Sequence, residues 1–226
     1  MILTDERRRR HLSGGFTLWE LMIVVTIAAI LGAVAIPTMV NQRRLTRSIG
    51  LSREIMGQLR YTRQLAMSER KAFTFSYNDV TKQITIIDHN NVTTDPNSGK
   101  AVLSLANYPS TAGSTIVATV TLGQGGLNAS EITYGIPSSL PSTAKGALGD
   151  GVSMTTLATN RINITFQRDG SVIDATGGAT DRNPQDQALF IYNSKVPEAT
   201  ALAVSVLGSS GRIKIWRYNN ATKYAE

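Results

Sequence analysis

Gly14-Gly15-Phe16-Thr17-Leu18-Trp19-Glu20, followed by twenty residues without a charge from Leu21 to Val40, is the stretch on which the reading of this chain turns. Phe16 to Val40 is 25 residues, about 37 Å as a helix at ~1.5 Å per residue, and so spans a hydrocarbon layer of ~30 Å. Four arginines, Arg7 to Arg10, precede it. Basic residues flanking a span stay on the cytoplasmic side, which predicts a cytoplasmic amino terminus and a remainder that lies across the membrane. An ordinary secretory signal has a shorter apolar region and a small-residue cleavage site beyond it. Here Ser13-Gly14-Gly15 comes before the apolar run, so a cut between Gly15 and Phe16 removes a basic leader, 1–15, and leaves the anchor, 16–40, in the product.

Glu20 is costly where it stands. An ionised carboxylate in hydrocarbon costs several kcal/mol unless it is paired. The cut at Gly15 creates a cation to pair with, the new α-amine of Phe16, at nearly the same depth. Within the span, Ala28, Ala29, Gly32, Ala33 and Ala35 offer small surfaces for close helix approach, or serve as lipid-facing filler. Pro37 lacks a donor and crowds the preceding turn, so the helix is expected to kink or loosen there.

No proline follows before residue 70, and Leu51, Ile55, Leu59, Thr62 and Ala66 recur at helical spacing with Met56 alongside. This predicts an amphipathic continuation over 41–70, its apolar stripe lying on the protein's own core. Arg43, Arg44, Arg47, Arg53, Arg60, Arg63 and Arg70 fall mostly on other faces, either solvated or turned to acidic lipid or neighbouring chains. From 71 to 226 the pattern is that of strands. Phe73, Phe75 and Tyr77 alternate with Thr74 and Ser76, and a turn at Asn78-Asp79 leads to Ile84-Thr85-Ile86-Ile87, which reads as a hairpin. Residues 89–160 are polar and rich in Gly, Ser, Thr and Ala, and read as a variable insertion with one strand near Thr115 to Leu122. Ile162 to Phe166, Asp169-Gly170 and Ser171 to Ile173 form strand, turn and strand. Ala188 to Tyr192, Ala201 to Leu207 and Arg212 to Tyr218 are further strands, the last two joined by Gly208-Ser209-Ser210-Gly211.

The amino-terminal pattern of Gly15, Phe16, Thr17, Leu18, Glu20 and Leu21, with Pro37 beyond it, resembles the prepilin leader and anchor of type IV pilins and type II secretion pseudopilins. Trp19 departs from it, standing where the family has a smaller aliphatic residue. The resemblance implies that prepilin peptidase cuts after Gly15 and N-methylates Phe16, and that Glu20 pairs with the amine of a neighbouring subunit, setting the axial stagger of a filament. The competing reading is a plain signal anchor with a chance glutamate. Leu59-Arg60-Tyr61-Thr62-Arg63-Gln64-Leu65-Ala66, Phe166-Gln167-Arg168-Asp169-Gly170 and Gly211-Arg212-Ile213 together resemble the GspH/FimT family of minor pilins and pseudopilins. What this implies is an α+β, type IV pilin-like fold: a long amino-terminal helix, transmembrane and then amphipathic, packed on an antiparallel β-sheet domain. The implied partners are other pilin or pseudopilin subunits, prepilin peptidase and the bacterial inner membrane. The implied role is a minor subunit of the type II secretion pseudopilus, near its tip; the alternative is a FimT-like minor pilin that binds DNA.

The rest of the composition favours no enzyme. The chain has no cysteine and two histidines, His11 and His89, which removes thiol chemistry and a histidine metal cluster. Its formal charge of +7 falls to +5 once Arg7 to Arg10, Asp5 and Glu6 are removed with the leader, which is not by itself a nucleic-acid-binding composition. Asp79, Asp88 and Asp95 do not reproduce a calcium loop, and Gly123-Gln124-Gly125-Gly126 opens no phosphate-cradling helix. Asp169 reads as a turn residue, and Ser205 and Ser209 have no base at a readable spacing. No cofactor or metal is implied. One constellation invites a binding hypothesis. Along Gly211 to Tyr218, strand alternation places Arg212, Lys214 and Trp216 on one face with Ile213 and Ile215 turned to the core, and Arg217 and Lys223 nearby. A cationic face with an aromatic platform suits phosphate contact and base stacking. It resembles the Gly-Arg-x-Arg element of FimT-type pilins, with Lys214 in place of the second arginine and so without the bidentate fork. The opposing reading is an amphipathic edge strand whose cations discourage sheet-to-sheet aggregation.

Overall fold

The computed structural model describes residues 16–89, 93–94, 101–102, 114–123, 128–141, 146, 148–173, 183–219 and 223–225. Two compact units make up the chain, residues 1–42 and the unit from Arg43 to Glu226. In chain order the elements are α1 (Leu18–Glu69), β1 (Phe73–Asn78), β2 (Gln83–Asp88), β3 (Thr93–Thr94), β4 (Ala101–Val102), β5 (Thr115–Thr121) and β6 (Ile132–Tyr134). Then come β7 (Arg161–Phe166), β8 (Val172–Ile173), β9 (Gln187–Asn193), a single helical turn α2 (Pro197–Thr200), β10 (Leu202–Leu207), β11 (Arg212–Asn219) and β12 (Lys223–Ala225).

The first unit holds the amino-terminal part of α1. It is long and apolar enough to cross a membrane, and its large apolar side chains from Phe16 to Val40 are exposed. α1 runs through Pro37 without a break. Beside it the Thr38 hydroxyl donates to the carbonyl of Ala35 at 2.8 Å. Leaving so many aliphatic side chains in water costs on the order of 1.5–3 kcal/mol each, so this surface belongs against lipid or other helices.

In the second unit α1 buries Ser48, Leu51, Ser52, Ile55, Leu59, Thr62 and Ala66. These are the five residues of the expected stripe plus two serines. The buried hydroxyls of Ser48, Ser52 and Thr62 donate back to the carbonyls of Arg44, Ile49 and Gln58, so none is left unpaired in the core.

The antiparallel β-sheet domain expected from the sequence follows, built as two five-stranded sheets beside the short β3-β4 pair. Their orders are β5-β2-β1-β7-β8 and β12-β11-β10-β9-β6. The region 89–160 supplies one edge to each sheet, β5 on β2 and β6 on β9; part of that region, including Gln124, Gly125 and Gly126 of the glycine cluster, lies outside the described residues. Phe73, Phe75, Tyr77, Ile84, Ile164 and Phe166 from the first sheet meet Leu189, Ile191, Val204 and Val206 from the second and the α1 stripe in one core. The opposite face of β1 is polar yet also buried. Thr74 Oγ1 lies 2.8 Å from Thr165 Oγ1 and 2.7 Å from His89 Nε2, and the Ser76 hydroxyl donates to Asn163 at 2.8 Å. Burial pushes His89 down to about 4, because the imidazolium cannot be solvated there.

Candidate functional site

The residues that carry the sequence's functional readings fall in three places. At the start of α1, the Glu20 N–H donates to Thr17 Oγ1 at 3.3 Å and the Leu21 N–H to the Thr17 carbonyl at 3.1 Å. Thr17 is therefore the N-cap and Glu20 the third helical residue, the spacing of a capping box. The Glu20 carboxylate thus stands in the first turn, where the helix dipole favours a negative charge. The signal for this local role is readable as Thr17-x-x-Glu20. Phe16 is 81% exposed beside it. Gly15 and the leader lie outside the described residues.

The second place is β11, and here the structure corrects the aromatic platform. Trp216 is 5% exposed and packs with Leu148, Val152, Phe190 and Tyr224 in a second core on the outer face of the second sheet. Its indole N–H donates to Ser205 Oγ at 2.8 Å, and that hydroxyl donates to Asp150 Oδ2 at 2.5 Å. Lys214 Nζ lies 5.0 Å from the Trp216 ring centroid. The segment around Asp150 covers the face that strand alternation alone leaves open, so Trp216 offers no surface for stacking. Ser205 has a carboxylate partner, but its 0% exposure keeps it from any substrate. Arg212 and Arg217 are exposed. Being five residues apart on one strand, they leave from opposite faces. The four candidates therefore do not form a single platform.

The third place was not foreseen as a site. Arg63 of α1 donates from Nε to the Gly170 carbonyl at 3.3 Å and from Nη2 to the Ser210 carbonyl at 3.0 Å. One guanidinium thereby ties the helix to the β7–β8 turn and to the β10–β11 turn. Gly170 (φ +80°) and Gly211 (φ +61°) both adopt the left-handed backbone, and a Cβ on Gly211 would overlap the Gly170 carbonyl and stand 2.7 Å from Arg63 Nε. Next to them the Val172 N–H donates to the Gly208 carbonyl at 2.7 Å, joining the two sheets. A Cβ on Gly208 would overlap the backbone of Gln185. The three sequence pieces around Arg63, Gly170 and Gly211 thus meet in one knot. Contacts across 107 and 147 residues leave no periodic trace in the sequence.

Comparison with known proteins bears on the first of these places. Residues 10–36 match the family model for the prokaryotic N-terminal methylation motif. No curated protein matches the chain. Two crystal structures of the type IV minor pilin FimU from Pseudomonas aeruginosa are similar to it. One is 16% identical, covering 79% of this chain and 92% of that one with a TM-score of 0.39. The other is 15% identical, covering 74% and 90% with a TM-score of 0.40.

Proposed function

We propose that this chain is a minor subunit of a type IV pilin-like filament. The observation that carries the reading is a methylation motif, residues 10–36, set on a helix whose first part is exposed and apolar and whose second part is the spine of a two-sheet domain. Prepilin peptidase cuts between Gly15 and Phe16 and methylates the new amine. Residues 16–40 then anchor the subunit in the bacterial inner membrane with its amino terminus cytoplasmic and its domain periplasmic. On entry into the filament, Glu20 exchanges its place by the helix amino terminus for the Phe16 amine of a neighbour, which fixes the stagger. The subunit performs no reaction of its own.

The machine we assign it to is the type II secretion pseudopilus, at a position near the tip. The test of the class is processing: co-expression with prepilin peptidase yields a shortened product carrying a methyl group on Phe16, by mass spectrometry, and replacing Gly15 with a bulky residue leaves the precursor uncut. Normal cleavage of that variant overturns the reading. Deletion of the gene then decides the machine, since loss of protein export supports the pseudopilus, whereas loss of piliation or DNA uptake with export intact moves the subunit to a type IV pilus.

A further inference from the structure

The packed half of α1 is uneven. Arg44 meets Glu131 in a two-pronged ion pair, Nε to Oε2 and Nη2 to Oε1, each 3.2 Å. Asn193 Nδ2 adds a third donor to Oε2 at 3.0 Å, and the Ser194 N–H binds the Glu131 carbonyl at 2.8 Å. The Asn193 amide, and then Arg44, hold the Glu131 carboxyl below its ordinary range against the opposing effect of burial. A clasp of this geometry is strong for its partly covered setting.

The helix it holds is weak. Two of its side chains, Ser48 and Ser52, donate to carbonyls within the same turns, as Thr62 does further along, a bond that competes slightly with the helical ladder. Between them stands Gly50, a poor helix former, with nothing within 4 Å of the place where a Cβ would be. Beneath the same turns lie two small hollows, each with about 10 Å³ of room, lined by Ser48, Leu51, Ser52 and Ile55 of α1 and by Ile191 and Leu202 of the second sheet. One turn further on the packing closes, and Leu59, Thr62 and Ala66 are 0% exposed.

We propose that residues 44–55 are a hinge in α1, locked by the Arg44–Glu131–Asn193 clasp. With the clasp made, these turns are held at their amino-terminal side by the ion pair and at their carboxy-terminal side by Leu59. With it broken, they lift from the second sheet while Leu59 to Ala66 stay packed. The device concerns the subunit alone and does not depend on the filament reading.

Hydrogen exchange of the full chain in detergent micelles, read by mass spectrometry, tests it. Amides of 49–55 are expected to exchange at least about tenfold faster than those of 59–66. Glu131→Gln removes the charge and keeps the shape; it should speed 44–55 by roughly tenfold and leave 59–66 unchanged. Gly50→Ala should slow 44–55 by about fivefold. Uniform protection from 44 to 66, or an equal response of both segments to either variant, overturns the hinge. A response to Glu131→Gln without the opposite response to Gly50→Ala also overturns it, since the pair is then a simple staple.

Discussion

Replacing Gly211 by alanine perturbs the Arg63 knot with a single methyl group. At φ +61° an alanine pays about 1–2 kcal/mol for the left-handed backbone. Its Cβ must also clear the Gly170 carbonyl, which belongs to the backbone and cannot rotate away. The turn has to shift, and the Arg63 bond to that carbonyl, 3.3 Å in the native structure, is lost. A hydrogen bond to a charged group contributes ~1.5–3 kcal/mol, so the total loss is roughly 3–5 kcal/mol. Gly170→Ala is the informative control. Its φ of +80° carries a similar backbone cost, but its Cβ would meet Met67 Sδ at 2.9 Å and Arg63 Nε at 3.0 Å, both on flexible side chains. That variant should lose only ~1–2 kcal/mol. Urea unfolding of the unit from Arg43 onward, followed by circular dichroism, measures both. With a slope of ~2 kcal/mol/M, Gly211→Ala lowers the midpoint by roughly 2 M and Gly170→Ala by less than about 1 M. Equal losses for the two variants, or a loss below ~1 kcal/mol for Gly211→Ala, would refute the knot.

Three further outcomes use the same fragment. Gly57→Ala places a methyl in open space on the exposed face of α1 and should stabilise by ~0.5–1 kcal/mol, so the same substitution changes sign between Gly57 and Gly211. His89 is the fragment's only histidine. Its folded pKa of about 4 lies below the unfolded ~6.5, so the stability it contributes is complete above pH ~6.5 and drains away as pH falls toward 4. Between pH ~7.5 and ~5.5 the wild type should lose ~1.4 kcal/mol that His89→Gln does not lose; parallel pH profiles of the two would dismiss this account. Trp216 is likewise the fragment's only tryptophan, and its burial predicts blue-shifted emission that acrylamide quenches weakly and a single-stranded oligonucleotide leaves unchanged. Stoichiometric quenching by the oligonucleotide would restore the stacking platform.

The parts of this protein that were legible in its sequence are those set by near neighbours along the chain. The anchor, the apolar stripe from Leu51 to Ala66, the Phe73–Ile87 hairpin and the Asp169-Gly170 turn each show as a period or a turn signature within about twenty residues, because helix and hairpin geometry dictate which nearby side chains share a face. The methylation motif over residues 10–36 is of the same kind, and the Thr17 cap on Glu20, which the structure revealed, has an equally local signature. Tertiary structure decided the rest. Strand alternation assigns Trp216 to the face opposite Ile213 and Ile215, but only the fold reveals that Leu148 to Val152 come to cover that face. Closure of two distant turns around Arg63 likewise makes a tie of what reads locally as a solvated cation, and the strands divide into two sheets joined by a bond from Val172 to Gly208. An amino-acid pattern records which face a side chain leaves from; what meets that face depends on chain closure over tens to more than a hundred residues, which local preferences do not encode.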